Sequence, residues 1–188
     1  MGPPAPRPGE APRRGLFISL EGIEGAGKSS QAGAVAHFLE ARGWDCLLTR
    51  EPGGTDVGVR IRALLLDPAH GHLAPTAELL LYLADRAQHL HALIRPALAA
   101  GRAVVCDRFL DATLAYQGGA RGLGIDRLRG LHDLLLDGPL PDLTLLFDLD
   151  PAEGLARVAG PSSRATTSMP RTPALRRRRL CGRRRARM

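Results

Sequence analysis

One glycine-rich segment constrains the fold of this chain more than any other. Residues 22–29 read GIEGAGKS, which fits the pattern GxxxxGK[S/T], and they lie between a short apolar run and a stretch of helical periodicity. In such a strand–loop–helix unit, glycines allow successive backbone N–H groups to surround a phosphate, and the helix directs its positive end at the same anion. The segment therefore predicts a nucleoside triphosphate site with its magnesium ion, built from Gly22, Ile23, Glu24, Gly25, Ala26, Gly27, Lys28, Ser29 and Ser30.

The rest of the chain alternates short apolar runs with longer amphipathic stretches. Helical spacing predicts helices at 29–41, 56–66, 75–90, 91–100 and 126–137, and apolar runs predict strands at 16–20, 46–49, 103–106 and 143–149. Such alternation is typical of an α/β fold with a doubly wound parallel sheet, in which ligands bind at the carboxyl ends of the strands. We expect one domain over residues 15–157, a disordered Pro-rich leader over 1–14, and an Arg-rich, disordered tail over 158–188.

Charge is divided unevenly along the chain. The formal net charge is +7, but residues 157–188 hold 11 Arg and no acidic residue, whereas residues 1–156 hold 15 basic and 19 acidic residues. A uniformly basic face for nucleic acid is therefore not indicated. No apolar run is long enough to span a membrane. The three cysteines fit a reducing cytoplasm, and His89 with His91, two residues apart on a helix, make a poor metal-ligand pair.

The glycine-rich loop alone leaves kinases, GTPases and ATPases open. The chain contains a single lysine, Lys28, so the NKxD motif by which GTPases read their base is missing, and the short length disfavours motor and transporter ATPases. A small phosphotransferase is favoured, with its second substrate near the ends of the neighbouring strands.

Three further segments resemble motifs of bacterial thymidylate kinases. They are TREPGGT at 49–55, LLLYLADR at 79–86, and DRF at 107–109 followed by AYQGG at 115–119. Together with the glycine-rich loop they match the family in order and spacing across about residues 15–157. The resemblance implies the three-layer P-loop NTPase fold, ATP as co-substrate with Mg²⁺, and transfer of the γ-phosphoryl group to dTMP, giving ADP and dTDP.

The resemblance also implies roles for individual residues. The catalytic set would be Lys28, Glu51, Asp107 and Arg108, with Mg²⁺ held by the Ser29 hydroxyl and, through water, by Asp107. Contacts to the phosphate, sugar or base of dTMP are implied for Glu24, Glu51, Arg62, Tyr82, Arg86, Arg108, Thr113, Tyr116 and Gln117.

Within that acceptor set, Arg62 and Arg108 would hold the phosphate, and Tyr82 would stack on thymine. Arg86 and Gln117 would hydrogen-bond the pyrimidine edge. Structural alternatives stay open at this stage: a solvated Arg62, a core Tyr82, an ion pair between Asp107 and Arg108, and Glu51 acting only in a turn. Asp150-Pro151 is most simply a helix N-cap.

The chain departs from the family near its C-terminus. Arg157 corresponds to the first arginine of the family's mobile lid, but residues 158–161 read VAGP where further arginines are expected. The final helices and a fifth strand are not visible in the sequence, and the tail resembles out-of-frame translation. We therefore expect weak activity or low stability. The resemblance also implies a homodimer, for which the helices at 56–66 and 126–137 could serve. Alternatives are another pyrimidine monophosphate kinase, an inactive nucleotide-binding remnant, or a nucleic-acid-binding protein that uses the tail.

Overall fold

A computed structural model describes residues 14–70, 73–136 and 138–159 of the chain. The strands are β1 (Leu16–Gly22), β2 (Cys46–Arg50), β3 (Ala103–Asp107) and β4 (Leu143–Phe147), and the helices are α1 (Lys28–Glu40), α2 (Asp56–Leu66), α3 (Pro75–His89), α4 (Arg95–Ala99), α5 (Leu110–Thr113), α6 (Ile125–Leu136) and α7 (Pro151–Ala159). A short 3₁₀ turn spans Pro68–His70, and π-helical segments at Leu90–Ile94 and Leu114–Ala120 continue α3 into α4 and extend α5. Residues 1–13 of the predicted leader and 160–188 of the predicted tail lie outside the described residues.

The four strands form one parallel sheet in the order β2-β3-β1-β4. Side chains alternate between its faces: Phe17 and Val104 enter one apolar cluster, and Ile18 and Val105 enter the other. Helix α1 packs on the second face, whereas α3, α4, α5 and α6 supply the cluster on the first. The predicted three-layer α/β fold with a doubly wound parallel sheet is confirmed.

Most of the predicted helices and strands are present, several of them with shifted ends. One helical stretch of the structure was not predicted from the sequence. The stretches predicted as helices at 75–90 and 91–100 form one continuous helical path through the π-helical segment. The helical stretch from Leu110 to Ala120 was not predicted, because Gly118 and Gly119 favour a turn and the segment shows no apolar period of 3.6 residues. The Asp150 carboxylate accepts hydrogen bonds from Ala152 N and Glu153 N, at 2.9 and 3.4 Å, as an N-cap does.

The parallel sheet brings the carboxyl ends of three strands to one edge. Arg50 at the end of β2 is paired with Asp107 at the end of β3, and Arg108 N donates to Leu20 O of β1 at 3.0 Å. The residues that follow these strands therefore converge on the loop between β1 and α1. Across the described ranges no helix is both long and apolar enough to cross a bilayer.

Candidate active site

The glycine-rich loop forms one wall of a cavity of about 450 Å³. Gly25 and Gly27 adopt φ values of +76° and +88°, which side chains rarely tolerate, and Gly27 precedes the first turn of α1. The buried Lys28 donates from Nζ to Ile23 O at 2.6 Å. Burial, and then the nearby Arg108 guanidinium, lower the pKa of Lys28. Glycine backbone of the loop and the Lys28 side chain thus line the cavity.

Ser29 and Asp107 bring oxygen atoms together beside the glycine-rich loop. The Ser29 hydroxyl donates to Asp107 Oδ2 at 2.5 Å, and Asp107 Oδ1 is buried without a hydrogen-bond partner among the described groups. Mg²⁺ prefers such hard oxygen donors and usually retains water and phosphate oxygens in its shell. No group of three or more His, Cys, Asp or Glu side chains suited to a metal occurs in the described ranges. Ser29 and Asp107 therefore supply two oxygen ligands of the kind that Mg²⁺ prefers.

A second cavity, of about 420 Å³, opens beside the first. Its walls come from the REPGG segment, the last two turns of α2, α3 and the helical stretch from Leu110 to Ala120. Tyr82 and the amide of Gln117 lie in it, and burial followed by the charge of Glu78 raises the pKa of Tyr82. The cavity combines apolar walls with a few polar groups, as small-molecule sites do.

Four side chains line both cavities: Glu24, Glu51, Arg62 and Arg108. Arg108 Nη2 lies 2.6 Å from Glu24 Oε1, and the Tyr116 hydroxyl donates to Glu24 Oε2 at 2.9 Å. Partial burial acts to raise the pKa of Glu24, but hydrogen bonds from its own backbone and from Tyr116, together with Arg108, bring it below its usual value. Arg108 is also the only described non-glycine residue with positive φ, at +73°, a strained conformation of the kind that clusters at functional sites.

Arg86 is held almost completely buried at the floor of the second cavity. Its Nε donates to Glu51 Oε2 at 2.7 Å, and its Nη2 donates to Phe109 O at 3.1 Å and to Thr113 Oγ1 at 2.8 Å. Its Nη1 is buried without a partner in the described part of the chain. An unpaired guanidinium nitrogen in a buried position costs free energy unless a ligand supplies an acceptor.

Glu51 is anchored on both carboxylate oxygens. The second oxygen, Oε1, lies 2.9 Å from His89 Nδ1, and His89 Nε2 lies 2.7 Å from Thr49 Oγ1. A Cβ at Gly54 would lie 2.5 Å from His89 Nε2, so only glycine lets the REPGG turn approach this network. Glu51 thus lines both cavities, as a role near the acceptor requires, while its carboxylate is bonded to Arg86 and His89.

The structure brings most of the sequence-predicted site residues together. Those that line a cavity are Glu24, Gly25, Gly27, Lys28, Ser29, Ser30, Glu51, Arg62, Tyr82, Arg86, Asp107, Arg108, Thr113, Tyr116 and Gln117. Gly22, Ile23 and Ala26 belong to the loop but line neither cavity. The predicted lid residue, Arg157, also lines neither; its guanidinium contacts Gly25 O at 3.3 Å and Glu153.

Among the residues at or beside the site to which sequence reasoning gave no role are Glu21, Arg50, Glu78, Asp85 and His89. Asp85 and His89 lie one helical turn from each other beside Arg86, a spacing that could have indicated a shared face. Glu21 is buried below Arg108 and accepts from Phe109 N at 2.8 Å. Burial raises the pKa of Glu21 from 4.5 to about 7, against the opposing backbone hydrogen bond.

The fold and the two joined cavities define the class: a P-loop nucleotide kinase, with a triphosphate loop facing a second nucleotide-sized cavity. A family model described as thymidylate kinase matches residues 20–181. The chain belongs to the thymidylate kinase family, whose members are ATP-dependent dTMP kinases, transferases of dTDP biosynthesis.

Individual relatives agree with this assignment. The chain is 56% identical over 142 residues to the thymidylate kinase of Desulfosudis oleivorans, covering 76% of this chain and 66% of the relative. It is 57% identical over 145 residues to that of Ectopseudomonas mendocina, covering 77% and 69%. The crystal structure of thymidylate kinase from Ehrlichia chaffeensis has a TM-score of 0.68 at 39% identity, covering 77% of this chain and 82% of that one. The chain therefore spans about two thirds of the length of the curated relatives it matches.

Proposed function

We propose that this chain itself transfers the γ-phosphoryl group of ATP to dTMP, giving ADP and dTDP. The observation that carries the proposal is the position of Arg108, which lines the triphosphate cavity and the second cavity together. A guanidinium at that junction can contact the phosphates of both substrates and offset the repulsion between them.

Phosphoryl transfer depends on alignment and charge neutralisation more than on a strong base, and different residues of the site would supply each of these. Lys28 would exchange its contact with Ile23 O for phosphate oxygens, and the loop N–H groups would hold the β-phosphate. Arg62, whose Nη1 donates to Pro52 O at 2.9 Å, lines both cavities and would support Arg108 at the acceptor phosphate.

Mg²⁺ fits the oxygens of Ser29 and Asp107, and when bound it would neutralise charge on the β- and γ-phosphates. In the second cavity Tyr82 would stack on the base, with Arg86, Thr113 and Gln117 at its polar edge. Glu24 and Tyr116 would lie at the sugar.

The test is a kinase assay with ATP and each of dTMP, dUMP, UMP and CMP. We expect dTMP to be the best acceptor. Preference for another monophosphate would instead support the alternative of a different pyrimidine kinase. Calorimetric titration with ATP and dTMP beside the assay separates an enzyme from an inactive remnant, because a remnant would bind ATP without turnover.

We also propose a homodimer and a cytoplasmic location. Helices α2 and α6 carry apolar side chains that are half or more exposed, among them Val57 at 50% and Leu134 at 78%. Exposed apolar surface of this kind is typical of protein interfaces. Light scattering of Leu134→Asp beside the wild type tests the dimer; a monomeric wild type would contradict it.

A further inference from the structure

We propose that Glu78 is a positioning residue that determines which pyrimidine the second cavity accepts, by fixing the orientation of the Gln117 amide. The inference rests on the proposed function, since it concerns the base of the acceptor nucleotide. Glu78 lies in the first turn of α3 and lines the second cavity together with Gln117.

The contacts set the direction of the amide. Gln117 is buried, and its Nε2 donates to Glu78 Oε1 at 2.7 Å. The other carboxylate oxygen, Oε2, accepts from Arg121 Nη2 at 2.9 Å. Because an ionised carboxylate only accepts hydrogen bonds, the NH₂ group of Gln117 must face Glu78 and the amide oxygen must face away from it. Gln117 is thereby converted from a group of either polarity into an acceptor.

Arg86 supplies the complementary donor in the same cavity. Three of its hydrogen bonds go to Glu51, Phe109 and Thr113, and its buried Nη1 has no partner in the described part of the chain. Arg86 and Gln117 both line the cavity, so its wall holds one side chain that can only donate and one whose amide oxygen is left to accept.

This pair matches the edge of thymine or uracil and opposes that of cytosine. Thymine and uracil present an O4 acceptor beside an N3–H donor, whereas cytosine presents a 4-amino donor beside an N3 acceptor. Bound cytosine would leave Arg86 and Gln117 either unpaired or facing a group of their own polarity. A site built to hydrogen-bond one base strongly rejects a base that lacks the matching groups. Without Glu78 the amide could turn and offer its NH₂ group to cytosine N3.

Two variants test the inference through equilibrium binding of dTMP, dUMP and dCMP, measured by titration calorimetry. For Glu78→Gln we expect dTMP affinity to fall roughly 3- to 10-fold. The preference for dTMP over dCMP should fall at least as much, and the ratio of dTMP to dUMP should stay unchanged because their edges are identical. Glu40→Gln, the same substitution on the exposed face of α1, should leave every ratio unchanged.

The exchange variant, Glu78→Gln with Gln117→Glu, supplies the decisive comparison. The amide at position 78 would donate to the new carboxylate and accept from Arg121, and position 117 would again present only acceptors. We expect the preference for dTMP over dCMP to return. Undiminished preference in the single variant, or no recovery in the exchange variant, would overturn the inference. If Glu78→Gln does not fold, Glu78→Ala replaces it as the single variant, because it too removes the acceptor that holds the Gln117 amide. A wild type that binds no dTMP would instead refute the proposed function.

Discussion

Gly154 of α7 lies directly against the phosphate loop, and its replacement by alanine has a calculable effect. An ideal Cβ there would lie 2.5 Å from Ile23 Cδ1 and 2.7 Å from Glu24 O. The Ile23 side chain can rotate, but the Glu24 carbonyl belongs to the backbone of the loop itself. Relieving the contact must therefore move either α7 or the loop, at a cost of about 1–3 kcal/mol for overpacking.

A matched helical glycine isolates this cost. Gly33 in α1 is exposed, and a Cβ there would meet nothing within 4 Å, so Gly33→Ala should stabilise the chain by about 0.5–1 kcal/mol. Gly154→Ala has the same gain in helix propensity, but it also introduces the steric clash. The two variants should differ by about 1–3 kcal/mol in free energy of unfolding. At about 2–4 °C for each kcal/mol, thermal unfolding resolves that difference.

The displaced loop should also weaken ATP binding in Gly154→Ala, and titration calorimetry measures this. Gly33→Ala should bind ATP as the wild type does. If Gly154→Ala were as stable as Gly33→Ala and bound ATP normally, the close packing of α7 on the loop would be refuted.

Three further predictions concern buried groups at the site. Because burial raises the pKa of Glu21 from 4.5 to about 7, the folded chain holds a proton that the unfolded chain has released, and stability falls as pH rises between these values. From pH of about 5 to 8 the wild type should lose about 2.5 kcal/mol relative to Glu21→Gln in urea unfolding; equal pH slopes would contradict this. Lys28→Ala should lower kcat by about 10²–10³-fold with the fold intact by circular dichroism, and near-normal turnover would count against its contact with transferred phosphate. Gly54→Ala would place a Cβ 2.5 Å from His89 Nε2, so it should cost about 1–3 kcal/mol of stability and weaken dTMP binding more than ATP binding. Titration calorimetry measures both affinities. Equal losses of the two affinities would show that the network only supports the fold.

The parts that sequence predicted well are those whose signals are local. The glycine-rich loop, the strand ends and the dipeptide of Asp107 and Arg108 each occupy a few consecutive residues, and the parallel sheet then gathers them. The helical stretch after β3 escaped prediction because its π-helical turns have no 3.6-residue period and end in two glycines.

The residues that hold the site in place were harder to infer, since their contacts join positions that are far apart in the sequence. Glu51 and His89 are 38 residues apart, and their pairing depends on how α3 packs beside the end of β2. His89 invites a metal interpretation in sequence, and only the packed structure makes it a partner of a carboxylate. The contact between Glu78 and Gln117 could not be predicted either, because nothing in the sequence around Glu78 indicates that Gln117 lies close to it.

The ion pair of Arg108 with Glu24 lies where the two cavities meet, so we expect binding in one cavity to depend on binding in the other. Under the proposed function, a phosphate in either cavity would compete with Glu24 for the guanidinium, and a phosphate in the other cavity would then meet an altered arrangement of charge. By reciprocity of linked equilibria, ATP must change the affinity for dTMP by the same factor that dTMP changes the affinity for ATP. A substitution at Arg108 should therefore change this coupling factor, which titration of each nucleotide in the absence and presence of the other measures.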